Sequence, residues 1–156
     1  MTTNRVPGFY KIFFTSVDPI IALSAAITNF VSQDFLVNSL VPRTLRNEDD
    51  VNPQYKFIFQ QAGGAMLACA VLSGGLLRAT NDLKVWKYVQ MAILLMDFAA
   101  LYSFWDALRL QSRLWTAWRS EDWGTVGLTL FITLTRIAFL AEMGFKKVRT
   151  GKLNAS

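Results

Sequence analysis

The chain has 156 residues, 53% of them hydrophobic and 13% aromatic, and a formal net charge of +5. It has no histidine and one cysteine, Cys69, which removes the usual ligands of zinc, haem and di-iron centres, Ser–His and Cys–His nucleophiles, and an internal disulfide. The length suits one domain, and the apolar residues gather into blocks flanked by basic ones, so residues 1–156 read as a single integral membrane domain rather than a nucleic-acid binder.

The first block, about Tyr10 to Val31, is long enough to cross a bilayer at roughly 20 residues per span. Asp18-Pro19 interrupts it, and no small-residue cleavage site follows a short apolar core, so it reads as a retained helix and not a signal peptide. The connection Ser32 to Lys56 holds Pro42, Pro53 and the acidic run Glu48-Asp49-Asp50, and reads as a polar loop outside the bilayer. A second block runs from Phe57 to Leu77 and a third, after a short basic link, from Trp86 to Leu108. The link Arg109 to Thr125 carries Trp115, Trp118 and Trp123 with Arg113 and Arg119, a composition suited to the headgroup layer. The fourth block is Val126 to Phe145, and Gly151 to Ser156 form a polar tail. The prediction is an all-α, four-transmembrane-helix bundle, a polytopic membrane protein.

Four spans put both termini on one side. The terminal segments and the second link hold nine basic residues (Arg5, Lys11, Arg78, Lys84, Lys87, Lys146, Lys147, Arg149, Lys152). The other two loops hold six (Arg43, Arg46, Lys56, Arg109, Arg113, Arg119), and this bias favours cytosolic termini. The expected location is the endoplasmic reticulum.

Three ionisable residues lie deep in the spans. At 1.5 Å per residue, Asp18 sits roughly 12 Å and Asp97 roughly 16 Å from the terminal side, and Arg136 roughly 15 Å from the other, all near the midplane of a core about 30 Å thick. A charge at that depth costs about 2.5–3.5 kcal/mol on insertion scales, so such residues face a bundle interior and mark candidate sites. Asp18 shares a helical face with Ala22, Ala25 and Asn29; Asp97 with Leu101, Phe104 and Leu108; Arg136 with Thr129 and Thr133. Pro19 leaves the Thr15 carbonyl without its helical donor, which predicts a kink or a bound water near Asp18. Asp106 points away from Asp97 and suits an interfacial pair with Arg109 or Arg113; Glu142 suits Lys146. Gly64 and Ala68 form a small-xxx-small packing step near Gln60 and Gln61.

Two readings compete for the three charges. They form a structural network, with Asp97–Arg136 an ion pair and Asp18 a polar kink, or they are catalytic. A carboxyl without a counter-charge in low dielectric is pushed toward its neutral acid, whereas one beside Arg stays ionised. Such a pair suits protonation of an epoxide or alkene in a greasy substrate. Aromatic faces would steady the cation, and an internal nucleophile or water would capture it. Asp18, Asp97 and Arg136 are therefore the catalytic candidates, and Asn29, Gln61, Tyr102, Phe104 and Trp105 the substrate-binding ones. No metal or cofactor is expected. The expected partners are a lipophilic small molecule and membrane lipid.

Several stretches resemble a family of small fungal four-span membrane proteins. They are Phe9-Tyr10-Lys11-Ile12-Phe13-Phe14 leading to Asp18-Pro19-Ile20, Leu94-Leu95-Met96-Asp97 with Tyr102, and Asp122-Trp123-Gly124 leading to Thr135-Arg136. That family includes membrane-bound terpene cyclases of the ascofuranone type and membrane epoxide hydrolases of the aurovertin and citreoviridin type. The resemblance implies epoxide opening within the membrane, on a meroterpenoid or polyene polyketide of fungal secondary metabolism. The family pattern often has His shortly after the third-span Asp. Ala99, Ala100 and Leu101 stand there in this chain, which leaves a carboxylate version of the chemistry. The rival expectations are a non-catalytic partner of another membrane-bound pathway enzyme, and a sterol or lipid carrier or isomerase.

Overall fold

The computed structural model describes residues 6–46, 51–116 and 118–145, and among these it is helical with no strand. Helix α1 (Gly8–Val31) leads into a short helix, α2 (Gln33–Leu40), and three long helices follow: α3 (Pro53–Ala79), α4 (Leu83–Leu110) and α5 (Ser120–Leu140). The four long helices have the length and apolar composition to cross a membrane, so the chain is a multi-pass four-helix bundle. Each coincides with a predicted span, but α5 starts earlier and stops earlier than the block Val126–Phe145. Asp122 accounts for the early start. Its carboxylate accepts the Arg119 backbone N–H at 2.8 Å and places negative charge at the positive end of the helix. The chain leaves α5 through Glu142 and Gly144, both at positive φ.

The first link is not simply a polar loop. One residue, Ser32, separates α1 from α2, whose Leu36 turns toward the bundle while the exposed Phe35 edges the cavity. The C-terminal carbonyls of α2 lack helical donors. Arg119 supplies donors to Asn38 O at 2.9 Å and Ser39 O at 3.2 Å, and Gln111 Nε2 donates to Leu40 O at 2.9 Å. The Glu48-Asp49-Asp50 run, Arg5 and the segment from Lys146 onward lie outside the described residues. Glu142 forms an ion pair with Lys87, and Lys146, its expected partner, lies outside the described residues.

Helix α1 packs along α3, and α4 along α5. Lipid is as apolar as a leucine side chain, so close packing and polar contacts hold such pairs together, not the exclusion of water. Gly63 provides the close approach of α1 and α3: a Cβ there would meet the Phe30 ring at 2.8 Å. The predicted step at Gly64 and Ala68 faces outward instead, with nothing within 4 Å of a Cβ on Gly64. One residue of helix rotates a side chain by about 100°, enough to move the contact from one glycine to its neighbour.

The two pairs join near the terminal side through an aromatic core. Phe139 meets Tyr10 and Phe14 edge-on at 5.4 and 5.3 Å and lies 6.2 Å from Trp86, and Tyr10 Oη donates to Met143 O at 3.1 Å. Toward the other side the pairs part, and α2 lies across the gap against α4 and α5. The bundle is thus solid in one half and hollow in the other, with the predicted charges between.

Candidate functional site

Two π-turns set the polar centre in place. The first, Phe13–Val17, precedes Asp18-Pro19, and the second, Leu72–Leu76, packs against it. Gly74 lets them close, since a Cβ there would meet Pro19 at 3.3 Å. The carbonyl that Pro19 frees finds a donor within the protein. Arg78 Nη2 donates to Thr15 O at 2.6 Å and to Ser16 Oγ at 3.2 Å. Inserted turns of this kind re-aim side chains and recur at functional sites. Here the second one delivers Ser73, whose Oγ donates to Asp18 Oδ2 at 3.1 Å.

Asp18, Asp97 and Arg136, predicted to share one depth, meet directly. Arg136 Nη2 donates to Asp18 Oδ1 at 2.6 Å, Nη1 donates to Asp97 Oδ2, and Nε donates to Gln90 Oε1 at 3.1 Å. The guanidinium is thus satisfied on three sides by α1 and α4 while sitting on α5, with the residue 2% exposed. Its planar fork suits two carboxylates at once, which a lysine ammonium would not match. Asp18 is engaged at both oxygens. Asp97 is engaged at one, and its Oδ1 has no hydrogen-bond partner among the described residues.

The cluster forms the floor of a cavity of about 840 Å³. Its walls come from all four long helices and α2, among them Ile21, Ala22 and Ala25 of α1, Met66 and Cys69 of α3, Met96, Ala100 and Phe104 of α4, and Leu128, Thr129 and Ile132 of α5. Arg43, Arg119 and Glu121 line the end away from the cluster. This volume lies within the usual range for small-molecule sites, about 300–1,000 Å³. The charges therefore both bond one another and face a space.

Of the five predicted substrate-binding residues, Phe104 lines the cavity. Asn29 does not; its Nδ2 donates to Ala25 O at 2.8 Å within its own helix. Gln61 is exposed on the outer face of α3. Tyr102 and Trp105 are also exposed, with ring centroids 5.8 Å apart, and Arg109 stacks over Trp105 while pairing with Asp106 at 3.0 Å. Those four thus stand apart from the space that the charged cluster faces. In the Trp-rich link, Trp115 is 90% exposed and Trp118 packs on Trp123 at 4.5 Å, while the buried carboxylate of Asp122 pairs with both Arg113 and Arg119.

Two members of the centre were missed from sequence. Gln90 lies two helical turns before Asp97 and so on the same face, a signal present in the spacing. It is 0% exposed, and its Nε2 has no acceptor among the described residues. Ser73 has no such signal, because its link to Asp18 spans 55 residues and depends on a π-turn.

No curated protein and no solved structure matches this chain. One family model matches it over residues 3–146, nearly its whole length, and the chain belongs to that family, described as domain of unknown function DUF7704.

Proposed function

We propose that the protein opens an epoxide in a lipophilic substrate held within the membrane, as a cyclase or hydrolase, with Asp97 as the proton-donating group. The observation that carries this reading is the unequal use of the two carboxylates on the cavity floor. Asp18 has a guanidinium on one oxygen and a hydroxyl on the other, which suits a fixed anion. Asp97 keeps one oxygen unpartnered at the edge of the cavity. One guanidinium balances one carboxylate, so the cluster is neutral when a single proton resides on the pair. Placed on Asp97 Oδ1, that proton is available to an epoxide oxygen.

Transfer of the proton to the oxygen breaks one C–O bond and leaves a carbocation and a hydroxyl. An internal alkene or hydroxyl then captures the cation and returns a proton to Asp97, giving a ring. Water in that role gives a diol. Arg136 holds the resulting carboxylate in place. Phe104, roughly 10 Å along α4 from Asp97, offers a ring face to positive charge farther up the chain. Phe35 offers a second. The resemblance to fungal epoxide-opening cyclases and hydrolases supports the same chemistry, in a fungal secondary-metabolite pathway with the protein in the endoplasmic reticulum and its termini cytosolic.

The test is product analysis after co-expression with epoxy-prenyl and epoxy-polyene substrates, wild type beside Asp97→Asn. The expected result is a ring or diol formed by wild type and reduced about 100-fold or more in the variant, in line with loss of a general acid. Equal conversion by the variant removes Asp97 from the chemistry. No conversion of either substrate class by wild type returns the three charges to a structural network.

A further inference from the structure

The cavity is long and its two ends differ in charge. Along α5, Glu121, Thr125, Leu128, Ile132 and Arg136 follow at helical spacing on its wall, a run of roughly 20 Å. At the floor, Arg136 is already engaged by two carboxylates and Gln90, which leaves it no donor for an anionic group. At the rim the balance reverses. Asp122 there is shared by Arg113 and Arg119, and Glu121 is the acidic lining residue at that end, away from Asp18 and Asp97.

Two further arginines at the rim have unused donors. Arg43 lines the cavity, and its guanidinium has no hydrogen bond or ion pair among the described residues. Arg46 donates through Nη2 to the side chain of Asn38, another lining residue. Its Nε is buried without an acceptor among the described residues. That donor is closed off from the cavity, so Arg46 acts on the rim through Asn38, while the Arg43 guanidinium stands on the lining itself. Planar guanidinium forks suit carboxylate and phosphate oxygens.

We propose that the cavity takes an elongated amphiphile with one anionic head group. Arg43 holds the head at the rim, Arg46 adds positive charge from behind Asn38, and the apolar chain runs down the hollow half of the bundle toward Asp97. This rests on reading the cavity as a substrate site, but not on the epoxide chemistry. It makes Arg43 and Arg46 specificity residues that fix which end of the substrate reaches the floor.

The test uses the full chain in lipid nanodiscs, with empty nanodiscs as the blank. The probes are a fluorescent long-chain polyene carboxylic acid, its methyl ester, and a long-chain alkyl phosphate as competitor. Wild type is expected to bind the acid about tenfold more tightly than the ester. Arg43→Gln with Arg46→Gln is expected to abolish that preference while leaving ester binding unchanged, and Arg43→Lys to keep part of it. Displacement by the phosphate supports an anion site indifferent to head-group type; failure to displace narrows it to carboxylates. Equal binding of acid and ester by wild type, or a preference that survives in the double variant, overturns the head-group assignment alone. Binding of neither probe overturns it together with the substrate reading of the cavity. Unchanged ester binding by the double variant also reports that its fold is intact.

Discussion

The polar centre at mid-membrane and the polar rim beneath α2 are mirror images in stoichiometry. At the centre one arginine, Arg136, serves two carboxylates, Asp18 and Asp97. At the rim one carboxylate, Asp122, serves two arginines, Arg113 and Arg119. At the rim the surplus positive charge meets further acceptors: Arg119 gives its remaining donors to the end of α2, and Arg113 bonds Gln111. The centre has no such relief. Its surplus must be neutralised by a proton or tolerated at a cost of several kcal/mol. The same side-chain chemistry is therefore a clamp in one place and, on the proposed function, a reactive group in the other.

The comparison breaks first at Arg136. Replacing it by Gln leaves two carboxylates with no cation, and the expected loss is about 3–5 kcal/mol, measured as unfolding in detergent or as failure to accumulate in the membrane. Asp122→Asn removes the carboxylate from the rim and should cost less, about 1–3 kcal/mol, because Arg119 keeps its carbonyl partners on α2 and Arg113 its bond to Gln111. Limited proteolysis between α2 and α3 should increase in that variant. Should Asp122→Asn prove the more harmful of the two, the ranking by depth is wrong. Ser73→Ala sharpens the contrast within the centre. It takes one hydrogen bond from Asp18, with an expected loss of about 1–2 kcal/mol and, on the proposed roles, a smaller loss of turnover than Asp97→Asn. Tyr102→Phe is the smallest change, expected within about 0.5 kcal/mol of wild type and without effect on turnover, since Tyr102 lies outside the cavity.

Much of this architecture was legible before any coordinates. Long apolar blocks give the four spans, and helix rise alone puts Asp18, Asp97 and Arg136 at one level. Depth is a one-dimensional quantity that a sequence carries well. Direction around the helix carries less well, as Gly63 and Gly64 illustrate. Tyr102 and Trp105 follow the same pattern. They are close to Asp97 along the chain, yet they project from another face of α4. Helix α2 escaped because eight residues hold too few turns for a periodic pattern, and its stability comes from Arg119 and Gln111, more than 70 residues away. Ser73 escaped for a related reason, since nothing local announces a π-turn. The Pro19 prediction was half of an answer: the freed carbonyl was foreseen, but the donor, Arg78, comes from a different helix.

The order of the chain gives the Arg136 bridge one more meaning. A ribosome delivers Asp18 and Asp97 to the membrane before their shared cation exists, and Arg136 follows Asp18 by 118 residues. Until α5 is inserted, a nascent chain carries two acidic side chains that must stay protonated or seek water. Insertion of α5 therefore also completes the charge balance of the bundle. A polypeptide interrupted before it would hold a flaw in its membrane domain that quality-control machinery can read, whereas the finished protein conceals both acids behind one arginine.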